Sequence, residues 1–80
     1  GFLRQLAIAG GAAGPLTVTG IATGDELVGV ARLNRDAVAA NIDLTTITGE
    51  FSVTGADTID NTAGTDTTGD ALLVTWLDLT

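Results

Sequence analysis

The side chains best equipped for chemistry in this chain are its carboxylates. Ten Asp and Glu residues stand against three arginines, Arg4, Arg32 and Arg35, with no Lys and no His. Paired carboxylates can work as general acid and base when their environments separate their protonation states. Here they fall in predicted turns and on the polar faces of predicted strands, where the same residue types serve as solvated surface charge. Asp57, Asp60, Asn61, Asp66 and Asp70 crowd around one predicted hairpin end. Oxygen ligands at that density could hold calcium, but the spacing matches neither an EF-hand loop nor a Gly-rich nonapeptide repeat. No metal site is assigned to them.

Other chemistries lack their residues. Without Cys there is no disulfide and no thiolate ligand, and without His a Ser-His-Asp set cannot form. No Gly-x-Ser-x-Gly turn occurs. Gly10-Gly11-Ala12-Ala13-Gly14 is Gly-rich, but it lacks the Lys-Ser/Thr of a phosphate loop and runs into Pro15. Trp76 reads as a core or interface anchor rather than a ligand-stacking platform. Missing His, Cys, Lys and Tyr, the chain is short of nearly every common nucleophile and base. The expectation is a protein that is not an enzyme and has no cofactor.

Charge narrows the partners. A net charge of −7 disfavours nucleic acid and anionic membrane surfaces, both of which call for clustered Lys and Arg. It favours solubility and a partner with basic surface. No segment approaches the ~20 apolar residues of a membrane span. Phe2 to Gly14 is apolar and small but lacks the basic start and long apolar core of a secretory signal.

The elements that must position these residues are strands. Thr, Val and Ile contribute 25 of the 80 residues, and eleven Gly supply turns. Phe2 to Ala9 reads as a strand. With the flexible connector up to Gly14, residues 1–14 form either an N-terminal arm or a first strand, and residues 15–80 form a single β domain. Leu16 to Leu33 reads as a first hairpin, with its turn at Thr23-Gly24-Asp25. Ala37 to Ile42 is ambiguous between a helical turn capped by Asn34, a loop and a short edge strand. Glu50 to Asp60 alternates as a half-buried strand, with Phe51, Val53 and Ile59 on one face. Asn61 to Gly69 is a turn or exposed loop. Ala71 to Leu79 is apolar on both faces, so it is either central in a sandwich or buried by a neighbouring subunit. Val18-Thr19-Gly20 recurs as Val53-Thr54-Gly55, and Thr23-Gly24-Asp25-Glu26-Leu27-Val28 as Thr68-Gly69-Asp70-Ala71-Leu72-Leu73. Either a duplicated hairpin or convergent turn chemistry explains that pattern. The fold class expected is all-β, a small β-sandwich or barrel of two hairpins. A domain this small is close to the limit of independent stability, which points to association with other chains.

The run Glu50-Phe51-Ser52-Val53-Thr54-Gly55-Ala56-Asp57-Thr58-Ile59-Asp60-Asn61, then Gly64-Thr65-Asp66-Thr67-Thr68-Gly69-Asp70 and Leu72-Leu73-Val74-Thr75-Trp76, is preceded by Thr17-Val18-Thr19-Gly20-Ile21-Ala22-Thr23-Gly24-Asp25. Together these resemble small proteins encoded among the head and structural genes of tailed bacteriophages. The likeness covers most of the chain from Leu16 onward and carries no active-site residues with it. It implies a virion structural component made in the host cytoplasm, most economically a capsid decoration or cement protein on the capsid exterior. Such proteins clamp neighbouring major capsid protein subunits, often as trimers. On this reading Phe2, Leu3, Leu6 and Ile8 bury against the capsid protein or extend one of its sheets. Leu72, Val74 and Trp76 then pack in the interface of a homo-oligomer. A neck, tail or fibre accessory protein and a receptor- or carbohydrate-binding β module are the competing readings.

Overall fold

Strands form wherever β-branched and apolar residues alternate with polar ones, and the short Gly- and Asp-bearing segments between them turn the chain. The computed structural model describes residues 1–36, 41–61 and 64–79, with the side chains of Arg35, Asp36 and Asn41 left aside. Its strands are β1 (Phe2–Ala9), β2 (Pro15–Thr17), β3 (Glu26–Asp36), β4 (Asn41–Thr46), β5 (Phe51–Gly55), β6 (Thr58–Asn61) and β7 (Ala71–Asp78). A single 3-10 turn, Thr48–Glu50, precedes β5. The strands build a four-stranded sheet in the order β1-β7-β3-β4 and a three-stranded sheet in the order β2-β6-β5. Every pairing is antiparallel. The all-β, sandwich-like architecture expected from the composition is the one found.

Residues directly opposite one another in a ladder share a face, so the register defines what each sheet buries. In the large sheet Leu6, Val74 and Val30 form one inward row, and Trp76 lies inward beside Leu27 in the next. In the small sheet Leu16, Ile59 and Val53 align inward. Val18, Ile21, Val30, Phe51, Ile59, Leu72, Val74 and Trp76 make the core between the sheets. Leu6, Ile8, Leu16, Leu27, Ile47 and Val53 close around its margin. β3 carries one bulge, between Leu27 and Gly29, which leaves Val28 exposed.

The pairing differs from the two hairpins read from the sequence. β2 and β3 do not pair: β2 lies in the small sheet against β6, and β3 lies in the large sheet between β7 and β4. The long strand read over Glu50 to Asp60 breaks at Ala56 and Asp57 into the β5–β6 hairpin, with Asp57 in the left-handed region at φ 56°. Asp tolerates that conformation better than most residues because its short side chain can bond locally. β7 pairs with β1 and β3 rather than with the strand before it. The ambiguous segment falls partly on residues 37–40, outside the described residues; Asn41 and Ile42 belong to β4.

The recurring Thr-Gly-Asp turns acquire a different meaning. They precede β3 and β7, which lie side by side and antiparallel, and Gly24 and Gly69 both have positive φ. Asp25 then accepts the N–H of Leu79, just past β7, at 3.0 Å, and Asp70 pairs with Arg32 of β3 at 2.6 Å. Equivalent aspartates thus tie the start of each central strand to its neighbour.

Candidate interaction surface

Polar side chains that could have formed a site are spent on holding the loops. Asp57 clasps the β5–β6 turn to the loop before β3. Its N–H donates to Ile21 O, its carbonyl accepts from Val18 N and its Oδ1 accepts from Gly20 N, each at 2.8 Å. Buried Asn61 donates to Thr65 O at 2.9 Å and accepts from Gly64 N at 3.0 Å. Buried Thr67 accepts from Gly11 N and donates to Gly11 O, and its own N–H also reaches Gly11 O. Gly10 passes so close that a Cβ there would lie 2.1 Å from the Thr67 carbonyl oxygen. A side chain at Gly10 is excluded by backbone, not by a movable group.

The acidic hairpin end is therefore not a ring of open ligands. Asp57 faces Gly20 N, Asp70 faces Arg32, and Asp66 Oδ1 accepts both the hydroxyl of Thr68 at 2.6 Å and its N–H at 2.9 Å. The Thr68 hydroxyl first, and its N–H second, hold the Asp66 carboxyl below its ordinary value. The described residues form no cluster of three metal-capable side chains. They also enclose no pocket.

The residues singled out for interfaces separate into two groups. Leu72, Val74 and Trp76 lie in the chain's own core at 0%, 0% and 2% exposure. Of the two explanations for a strand apolar on both faces, a central position in the sandwich accounts for these three. The pattern alone could not choose between an internal and an external cover, because both bury the same face. On β1, Leu6 and Ile8 are half-buried at the core margin, while Phe2 and Leu3 are exposed at 75% and 67%. Residues 2–9 are a paired strand, not a free arm: β1 runs the full length of β7, and Arg4 meets Asp78 at 2.8 Å.

What sequence reasoning missed is the other face of the large sheet. The registers Leu3–Leu77, Ala7–Leu73–Ala31 and Ala71–Leu33–Leu44 turn an apolar surface outward, and Ile42 continues it along β4. Ile42 and Leu44 are 65% and 66% exposed. The small sheet turns Thr17, Thr58, Asp60 and Ser52 outward instead. The two outer faces of the sandwich thus differ sharply in polarity. The signal was present in the second apolar parity of β7, but its neighbours on β3 and β4 could be found only through the pairing. β1 adds a second feature, an eight-residue edge strand with a single charge, Arg4, and no Pro along it. Unprotected edges of this kind are templates for pairing with another chain.

No family model, curated protein or solved structure matches the chain.

Proposed function

We propose that this protein is a non-enzymatic structural component of a bacteriophage virion, a decoration protein that binds the major capsid protein shell from outside. The bacteriophage assignment rests on the sequence resemblance. The observation that supports a docking role is the open edge of β1, with Phe2 and Leu3 exposed at its start. An extended segment of a shell subunit can add to that edge by main-chain hydrogen bonds while Phe2, on the parity opposite to Leu3, fills an apolar pocket beside it. The acidic remainder of the surface suits a partner with basic surface and stays soluble on the outside of an assembly.

The test is co-sedimentation with mature capsids. Binding in near-stoichiometric ratio to capsid protein, weakened at least about 10-fold by Phe2→Ser without loss of fold, supports the reading. A folded chain that stays in the supernatant at high concentration refutes it. Substitution is the better probe than truncation, because removing residues 1–9 would also strip β7 of a partner strand.

A further inference from the structure

The outward face of the four-stranded sheet needs an occupant that the edge of β1 does not supply. Leu3, Leu33, Ile42, Leu44, Leu73 and Leu77 lie on it, with alanines and Thr46 between them and one polar row in which Gln5 donates to the Thr75 hydroxyl at 3.0 Å. Among the described side chains of its strand positions, the one charged residue on that face is Glu26, at its corner beside Leu77. Asp43 stands on the opposite parity of β4. Asp57 and Asp60 belong to the small-sheet side, and Asp70 and Asp78 turn toward Arg32 and Arg4. At a net charge of −7, contact between identical chains through almost any other side would bring carboxylates together.

We propose that this face is the contact between two copies of the chain, stacked sheet on sheet about a two-fold axis. The charge distribution favours a second copy over a basic partner, because the strand positions in this register hold one acidic residue, Glu26 opposite Leu77, and one basic residue, Arg35 opposite Ile42, and so no excess of negative charge for a basic partner to meet. It also lets two acidic molecules associate with their carboxylates turned away from one another. The area is sufficient. Four strands spaced about 4.8 Å apart and eight residues of about 3.3 Å each give a footprint of about 500 Å². That is about a tenth of the chain's 4620 Å², the usual share for a small protein in a specific interface. Two such faces together reach about 1,000 Å², the size of a weak, reversible contact rather than a permanent one. Sheets packed this way sit about 10 Å apart with their strands rotated by about 30°. A contact closed by a two-fold axis ends at two chains, so through this face the chain forms a dimer. The edge of β1 remains open in the dimer, and the pairing stands or falls independently of the capsid reading.

The experiment is sedimentation velocity from about 1 to about 200 micromolar at low and high salt, a range in which a weak, reversible contact shows its concentration dependence. A dimer that tightens with salt is expected, because salt screens the repulsion of two acidic chains while leaving the apolar contact intact. Leu44→Asp, at an exposed position, weakens it by about 100-fold while the near-ultraviolet circular dichroism of Trp76 is unchanged. In a second measurement, a spin label on Leu44→Cys loses mobility as the protein is concentrated, and one on Ser52→Cys, on the polar sheet, does not. A chain that is monomeric at the highest concentration in high salt overturns the proposal. So does a dimer indifferent to Leu44→Asp whose label at position 44 stays mobile. A monomer whose label is immobilised only by capsids also overturns it, and would assign the face to the shell.

Discussion

Asp57 offers the sharpest test of how the sandwich is held. It occupies the left-handed region at φ 56°, and its carboxylate accepts the Gly20 N–H at 2.8 Å while its backbone bridges Val18 and Ile21. Two separable effects follow, a side-chain hydrogen bond and a backbone conformation that L-residues avoid. Asn keeps an acceptor and tolerates the conformation, so Asp57→Asn should cost about 0.5 kcal/mol, the difference between a charged and a neutral acceptor. Asp57→Gly loses the bond and loosens the unfolded chain but relaxes the backbone, for a net loss of about 1 kcal/mol. Asp57→Ala loses the same bond and must hold the left-handed angle with a Cβ and no local bond, for about 2 kcal/mol. Denaturant unfolding followed by the fluorescence of buried Trp76 measures all three, read as midpoint shifts at constant slope. The reasoning requires the order Asn, Gly, Ala of increasing cost. An Ala variant as stable as the Asn variant would refute it. A Gly variant less stable than Ala would show that the conformation at this turn carries no penalty.

Three further outcomes follow from the geometry. Gly10→Ala places a Cβ 2.1 Å from the Thr67 carbonyl oxygen, and because backbone must move it should destabilise by at least about 2–3 kcal/mol in the same unfolding assay. Thr68→Val removes the hydroxyl that chiefly lowers the Asp66 carboxyl, so an NMR pH titration should show Asp66 moving up toward its ordinary value while the remaining N–H bond keeps it partly depressed. A depressed folded-state value stabilises above the unfolded-state value and that stability is lost as pH falls through the folded one, so the variant should be less stable than the parent at neutral pH and the two should converge in acid; an unchanged Asp66 titration would exclude the Thr68 hydroxyl as the cause. Deleting residues 1–9 should lower stability by about 2 kcal/mol or more, since Leu6 and Ile8 each contribute about half of a buried aliphatic side chain and β7 loses a partner strand. A chain equally stable without those residues would mean that β1 contributes nothing to the fold.

The strand content and the placing of carboxylates in turns were legible in the sequence, because each depends on residue type and short spacing. Thr-Gly-Asp before β3 and β7 announced its turns, since Gly24 and Gly69 supply the positive φ those turns need. The alternation of Phe51, Val53 and Ile59 marked an inward face, but not the break at Ala56 and Asp57. That break keeps the alternation on both sides of the turn, so parity alone reads straight through it. Strand pairing was not legible. β7 finds its partners in β1 and β3, up to 76 residues away, and such choices are made by burial of the whole face rather than by any local signal.

The sequence by itself determined a chain of alternating strands with acidic turns and without His, Cys, Lys or Tyr. Only the tertiary structure decided which apolar residues are consumed internally. It put Leu72, Val74 and Trp76 inside and left Leu44, Ile42 and Leu3 outside. The physical reason is that a strand has two faces of equal reach, and one sheet in a two-layer sandwich can cover only one of them.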